Sequence, residues 1–157
     1  MSTFKLKLDN KVPPPVVAAF IAIVMWRLSA YGSALPLSLE MAETFILLLV
    51  IVGVSFDVCA LLAFRQSKTT INPMSPDKTS VLVTSGVYRL SRNPMYLGLV
   101  LFLTAWAIQL SMLWPLIGPV LFIIYINRFQ IAPEEHVMER KFGNEYSIYK
   151  NKVRPWL

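Results

Sequence analysis

The long apolar runs of this chain limit its fold more than any other feature. The run from Thr44 to Phe64 supplies about the 20 apolar residues that a helix needs to cross the hydrocarbon core of a bilayer. Other apolar runs occupy residues 14–31, 95–110 and 112–129. In all, 55% of the 157 residues are hydrophobic, which is too many for an ordinary soluble domain of this size. The sequence therefore predicts an integral membrane protein.

These runs predict an all-α bundle of about four transmembrane helices, in a single domain that covers residues 1–157. The spans are expected at 14–31, 42–64, 95–110 and 112–129. Very few residues separate the last two runs, so they are expected to form a helical hairpin. A cleaved signal peptide is the alternative for the first run, but no convincing cleavage site follows it and more spans come later.

The lysines and arginines predict the orientation of the spans. Three lie in the N-terminal tail, five between Arg65 and Arg92, and six from Arg128 onward, whereas the connection after the first span and the tip of the hairpin hold none. Because such residues collect on the cytoplasmic side, we expect a multi-pass protein of the inner membrane with both termini in the cytoplasm. The polar segments 86–96 and 133–149 then lie on the same side of the membrane, where they can meet.

The C-terminal tail has the spacing of an amphipathic helix. Phe142, Tyr146, Tyr149 and Val153 recur at intervals that place them on one helical face. Such a stripe usually packs against the rest of a protein. We therefore expect a cytoplasmic amphipathic tail, with a bend at Gly143.

Several classes of function are disfavoured by composition. The net charge is +6, but the basic residues flank apolar runs instead of forming one stripe, so nucleic acid is not an expected partner. Cys59 is the only cysteine and His136 the only histidine, so neither an internal disulfide nor a metal site is expected. None of the six glycines falls in a G-x-G-x-x-G or P-loop pattern.

Two polar segments hold most of the side-chain chemistry. The first, GVYRLSRNPMYLG at 86–98, leads into an apolar run, and Pro94 favours a helix that begins there. The second, PEEHVMERKFGNEYSIY, occupies residues 133–149. Asp57 stands apart from both because it lies inside a predicted span. An acid at that depth either has a function or reaches the interface or a basic neighbour, and the sequence leaves both readings open.

The run SVLVTSGVYRLSRNPMYLG at 80–98, followed one hairpin later by Glu134, Glu135 and FGNEYSIYKNKV, resembles the isoprenylcysteine carboxyl methyltransferases and the related phospholipid methyltransferases. The resemblance covers residues 70–157. It implies a helical bundle open to the cytoplasm, with S-adenosylmethionine enclosed by residues 70–98 and 130–157. It also implies methyl transfer to a lipophilic or small apolar acceptor at the membrane surface.

The resemblance assigns roles residue by residue. Arg92 and Glu134 are expected to be catalytic, and Gln130, Glu134 and Arg128 to bind the substrate. Two residues depart from the family pattern: Asn93 replaces the usual histidine, and Gln130 stands where the prenylcysteine enzymes have an arginine. The expected cofactor-binding residues are Ser80, Val81, Leu82, Val83, Tyr88, Asn93, Pro94, Met95, Tyr96 and Glu135.

Other functions remain possible at the level of sequence. A phospholipid amine or thiol methyltransferase would share the same fold. A sterol-type membrane reductase has a similar hairpin and tail but uses NADPH, and this chain looks short for that larger bundle. In a non-enzymatic membrane protein the two polar segments would be solvated tails.

Overall fold

The structure is a computed structural model that describes residues 12–66 and 81–157. In those ranges the fold is all-α, as predicted, and the one pairing of extended backbone is an isolated bridge between Ala34 and Met112. Short 3-10 helices at Gly86–Arg89 and Trp114–Leu116 and a π-helical turn at Asn127–Ile131 join the α-helices. The α-helices are α1 (Pro14–Leu28), α2 (Leu39–Gln66), α3 (Pro94–Gln109), α4 (Ile117–Ile126), α5 (Ala132–Phe142) and α6 (Asn144–Lys152).

Prolines start two of the helices that shape the site. Pro14 is the first residue of α1 and Pro94 the first residue of α3. A proline fits there because the first turn of a helix has no internal partner for its N–H groups and the ring already holds a helical φ. The helix predicted to begin at Pro94 is therefore confirmed.

Two helices are long and apolar enough to cross a membrane. One is α2, with 28 residues, and the other is the continuous helix Trp114–Phe142, with 29 residues, in which α4 passes through the π-helical turn into α5. The helices in the first and third predicted spans have 15 and 16 residues. At about 1.5 Å per residue they fall short of a hydrocarbon core of about 30 Å. The structure thus supports two spanning helices and two shorter apolar ones.

The outward face of α2 is apolar and exposed. Leu47, Ile51, Val54, Val58 and Leu62 are each more than two-fifths exposed along the length of the helix. A soluble domain rarely exposes so continuous an apolar surface, whereas a helix that faces lipid must do so. This exposure is the strongest structural sign that the protein lies in a membrane.

The bundle is held together by close packing around α3. Small residues let the helices approach: Gly53 of α2 faces the ring of Phe102, and Gly98 of α3 faces Asp57. Gly118 of α4 similarly leaves room for the buried side chain of Met25 in α1. The main core is formed by Val17, Ala18, Met25, Tyr96, Leu103, Ala107, Phe122, Ile126 and Ile131.

At one end of the bundle the two interhelical loops are joined. Leu35 N–H donates to the carbonyl of Ser111 at 2.8 Å, and Leu113 N–H donates to the carbonyl of Ser33 at 3.1 Å. The side chains of Trp26, Trp106 and Trp114 are partly or largely exposed near this end, as in the aromatic belt of a membrane interface. The opposite end holds the polar segments and the candidate site.

Candidate functional site at the polar end of the bundle

A cavity of about 370 Å³ opens at the polar end of the bundle. Its volume lies within the range of about 300–1,000 Å³ that is common for small-molecule sites. Most of its wall is apolar, with a few polar groups placed among the apolar ones. It is lined by Pro14, Pro15, Asp57, Phe64, Val81, Leu82, Val83, Tyr88, Arg92, Asn93, Pro94, Met95, Tyr96, Leu99, Glu134, Glu135, Met138, Tyr146 and Tyr149.

Arg92 ties the C-terminal segment, residues 150–157, to the beginning of α3. Its side chain is only 8% exposed, and one terminal nitrogen, Nη2, forms an ion pair with Glu135. The other, Nη1, donates to the carbonyls of Lys150, at 3.0 Å, and of Val153. The Arg92 backbone N–H also donates to the carbonyl of Arg154 at 3.0 Å. A planar guanidinium suits this task because it presents several donors in a fixed fork.

The residues on either side of Arg92 hold the same C-terminal segment. The Ser91 hydroxyl and the Asn93 Nδ2 both donate to the carbonyl of Pro155, at 3.2 and 2.9 Å. The Trp156 indole N–H donates to Asn127 Oδ1 in the π-helical turn at 3.0 Å. Residues 153–157 therefore lie across the start of α3, and the Asn93 side chain is already engaged in holding them.

Glu135 is part of an ionic network. It pairs with Arg92 and with Lys150, whose Nζ is 2.8 Å from Glu135 Oε2 and 2.7 Å from Glu139 Oε1. The apolar run in this long helix ends at residue 129, so Glu135 lies beyond the stretch that is expected to span a membrane. Burial acts to raise the pKa of Glu135, but Lys150 and Arg92 outweigh it and hold the pKa below its ordinary value. Glu135 is thus a paired carboxylate.

Glu134 is in a different environment, although it is the next residue. It accepts a hydrogen bond of 2.6 Å from the Tyr96 hydroxyl, and no cation pairs with it in the part of the chain described. Burial raises the pKa of Glu134 to about 8, the Tyr96 hydrogen bond opposes that rise, and the charge of Glu135 adds to it. A carboxyl group with this pKa in a cavity wall is poised to ionise when a positive ligand arrives.

Two tyrosines complete the wall between the polar segments. The Tyr149 hydroxyl donates to the carbonyl of Tyr88 at 2.7 Å, which links α6 to the 3-10 helix that precedes α3. The Tyr88 ring also packs edge-on against Phe64 of α2. Burial, together with the nearby Tyr149, Glu134 and Asp57, raises the pKa of Tyr88, so this side chain remains neutral.

The structure brings together most of the residues that the sequence suggested for the site. Their roles stay predictions, but their convergence on one cavity is a structural fact. Ser80 lies outside the described residues. The residues that meet around the cavity are Val81, Leu82, Val83, Tyr88, Arg92, Asn93, Pro94, Met95, Tyr96, Glu134 and Glu135.

Gln130 and Arg128 lie outside this cavity lining. Gln130 is 1% exposed, and its Nε2 donates to the carbonyl of Val12 at 2.7 Å. Arg128 is exposed on the outer side of the π-helical turn, with its guanidinium carbon 5.6 Å from the centre of the Phe129 ring. Gln130 therefore ties the residue just before α1 to the long helix, and the substrate contacts expected for Gln130 and Arg128 stay predictions.

Some cavity residues escaped the sequence prediction. Tyr146 and Tyr149 carried a signal, the spacing of the tail, but the spacing was interpreted as packing. Pro14, Pro15, Phe64, Leu99 and Met138 are apolar residues that nothing in a single sequence marks as part of a site. Asp57, which the sequence left open, also lines the cavity.

Comparisons with known proteins point to a family. The family model for phospholipid methyltransferases matches residues 41–145, which is well over half of the chain. An uncharacterized protein of Haemophilus influenzae is 54% identical over 65 residues, which make up 40% of this chain and 100% of that protein.

Two O-methyltransferases match a longer part of the chain. The protein-S-isoprenylcysteine O-methyltransferase of Saccharomyces cerevisiae is 38% identical over 109 residues, which are 68% of this chain and 44% of the yeast protein. A probable protein-S-isoprenylcysteine O-methyltransferase of Oryza sativa subsp. japonica is 33% identical over 116 residues, which are 71% of this chain and 58% of the rice protein. The chain thus spans about half the length of these two relatives.

Proposed function

The chain belongs to the phospholipid methyltransferase family, and from this premise we propose that it is a membrane methyltransferase that resembles the isoprenylcysteine carboxyl methyltransferases. It uses S-adenosylmethionine and methylates a lipophilic or small apolar acceptor. The observation that carries the proposal is the cavity at the polar end of the bundle, which has apolar walls and is closed on one side by the two polar segments.

The chemistry of the cavity residues suits this cofactor. Glu134 lacks a cationic partner among the described residues, so its carboxylate can pair with a positive group of the cofactor. The ring faces of Tyr88 and Tyr96 can also attract such a group. Arg92 Nε is buried without a hydrogen-bond partner in the described chain, so it can donate to the carboxylate of the cofactor. When bound, S-adenosylmethionine supplies a methyl group on a positively charged sulfur.

The chain's own contribution is to position the reactants and exclude water. Arg92 holds the end of α6, whose Tyr146 and Tyr149 line one side of the cavity. The apolar side chains of Phe64, Leu99 and Met138 line more of the wall and disfavour water there. Transfer between a sulfonium and a held nucleophile depends chiefly on such alignment and desolvation. A lipophilic acceptor can reach the cavity from the bilayer beside α2.

We also propose that the cavity faces the cytoplasm and that both termini lie on that side. The proposal rests on the distribution of lysine and arginine and on the joined loops at the opposite end of the bundle. In a Cys59→Ala background, Leu157→Cys is expected to resist a membrane-impermeant thiol reagent in spheroplasts, whereas Ser33→Cys reacts. Modification of Leu157→Cys from outside would reverse the orientation.

Methyl transfer itself tests the proposed function. Membranes that contain the wild-type chain, incubated with S-adenosylmethionine labelled in its methyl group, are expected to accumulate label in the organic extract. Membranes that lack the chain, at the same total protein level, serve as the control. The proposed function is contradicted if farnesylcysteine analogues, phospholipids and small lipophilic thiols are all added and the label remains equal in the two samples.

A further inference from the structure

The start of α1 forms an apolar part of the cavity wall. Pro14 is fully buried and Pro15 is exposed, yet both line the cavity. The wall therefore passes here from the interior of the protein to its surface. Val16 and Phe20, farther along α1, are apolar and more than half exposed, as expected of residues that face lipid. An alkyl chain in this part of the cavity would lie against the two prolines.

The prolines leave the start of α1 with few polar attachments. Pro13, Pro14 and Pro15 have no backbone N–H, and no side chain caps the helix. Among the described residues, the Val12 carbonyl is the one backbone group at this start that bonds to another helix, and it accepts from Gln130 Nε2 at 2.7 Å. The Val12 side chain also packs against the main core. The position of the two lining prolines thus depends on one hydrogen bond and on packing.

Gln130 makes this bond from the interior of the bundle. It is 1% exposed, and its Oε1 atom has no hydrogen-bond partner in the part of the chain that the structure describes. The amide contributes little net stability, because the cost of an unpartnered buried oxygen offsets the bond that the nitrogen makes. Its effect is geometric: it joins the start of α1 to the long helix, about one turn before Glu134.

We propose that Gln130 is a positioning residue. Through the Val12 carbonyl it sets how far the start of α1 stands from the long helix, and with it the width of the cavity for the apolar chain of the methyl acceptor. The inference rests on the proposed function and specifies one part of it, the wall that selects the acceptor chain. The polar side chains that suit the cofactor come from outside α1, so a shift of α1 is expected to change acceptor binding and to leave cofactor binding intact.

The variant Gln130→Met tests this role. Methionine is similarly long and unbranched, and it removes the donor together with the unpartnered oxygen, so the unfolding temperature should change little. The probe for the apolar chain is 1-dodecanol, which is neutral. It is titrated by calorimetry into purified protein that is saturated with S-adenosylhomocysteine, in a non-ionic detergent. Because all proteins are measured in the same micelles, partition of the probe cancels in the comparison.

We expect the wild type to bind dodecanol saturably and Gln130→Met to bind it roughly four- to fifteenfold more weakly, which is the contribution of one or two buried methylene groups. S-adenosylhomocysteine should bind equally to both proteins. Gln109→Met, the same substitution at an exposed residue at the end of α3, is the matched control and should bind both ligands like the wild type.

A double-mutant cycle shows whether Gln130 acts through the prolines. Pro14→Ala removes a ring from the wall, and alanine is well tolerated in a helix. In the Pro14→Ala background, Gln130→Met should weaken dodecanol binding less than it does in the wild type, because part of the wall that it positions is already gone. Equal effects in the two backgrounds overturn the inference and favour a direct contact between Gln130 and the chain.

The remaining outcomes separate this inference from the proposed function. Equal dodecanol affinity in the wild type and Gln130→Met overturns the inference alone. Absence of saturable dodecanol binding in wild-type protein that binds S-adenosylhomocysteine does the same. Loss of S-adenosylhomocysteine binding in Gln130→Met also overturns it, because the residue then supports the fold in general. Failure of the wild type to bind S-adenosylhomocysteine overturns the proposed function and the inference with it.

Discussion

Replacing Glu134 by glutamine is expected to weaken the binding of S-adenosylmethionine by roughly 10- to 100-fold, because a charge-assisted contact is lost. Glutamine has nearly the same shape and can still accept the hydrogen bond from Tyr96, so the helical content should stay unchanged. Titration calorimetry in detergent measures the effect. Glu145→Gln, an exposed acid in α6, is the matched control and should bind like the wild type.

The pH dependence of the same binding gives a second readout. Since the pKa of Glu134 is raised to about 8, the carboxyl group must lose a proton before it can meet a positive ligand at neutral pH. The wild-type affinity should therefore rise as the pH increases from about 6 to about 8 and then level off. Glu134→Gln should remove the part of the slope that Glu134 contributes. If the two proteins have identical affinity and slope, Glu134 does not contact the cofactor.

Replacing Arg92 by alanine is expected to give the largest loss of stability among single changes at the site. The variant loses the ion pair with Glu135 and the donors to the carbonyls of Lys150 and Val153, in a position that is nearly buried. Breaking one side of a buried pair costs about 3–5 kcal/mol, and here the lower end applies because Lys150 still neutralises Glu135. A loss of about 3 kcal/mol corresponds to a fall of roughly 6–12 °C in the unfolding temperature of a domain of this size.

Tryptophan fluorescence during heating measures this loss, and limited trypsin digestion shows where it acts. We expect faster cleavage after Lys150 and Lys152, because residues 153–157 are no longer held across α3. Arg92→Lys should not restore stability, since one ammonium cannot reach the three acceptors. Arg89→Ala, an exposed arginine of the preceding 3-10 helix, is the control. An unfolding temperature for Arg92→Ala equal to that of the control would contradict the proposal that Arg92 holds residues 153–157 across α3.

The helical class, the helix that begins at Pro94 and the meeting of the two polar segments could all be inferred from the sequence. Local rules suffice for the first two: apolar runs of spanning length and a proline at a first turn depend only on neighbouring residues. The meeting of the two polar segments also depends on the short hairpin between α3 and α4. This hairpin returns the chain to the end of the bundle at which α3 begins.

The contacts that cross between distant elements could not be inferred. The Gln130 amide donates to the carbonyl of Val12, which is far away in sequence, and no pattern in the sequence indicated this contact. Similarly, the bond from Asn93 to the Pro155 carbonyl depends on where the C-terminal segment folds back. The spacing of residues along a helix shows which side chains share a face, but it does not show which part of the protein packs against that face.

That the helix continues past the fourth predicted span was also beyond the reach of the sequence pattern. The apolar run gives way to charge at residue 129, and the span was expected to end there. The π-helical turn at Asn127–Ile131 carries the helix on to Phe142 without a break, and the positive φ of Gly143 ends it. This continuity sets Glu134 and Glu135 on a rigid helix beside Tyr96 and Arg92, where a flexible tail would not hold them.

The measurement that tests the account most directly is titration calorimetry of the purified wild-type protein with S-adenosylhomocysteine and, separately, with NADPH. A methyltransferase cavity predicts saturable binding of S-adenosylhomocysteine at one site per chain and no saturable binding of NADPH. Saturable binding of NADPH without binding of S-adenosylhomocysteine would contradict the account and favour a reductase. Absence of saturable binding for both ligands, in protein that is folded by its helical content, would contradict it as well.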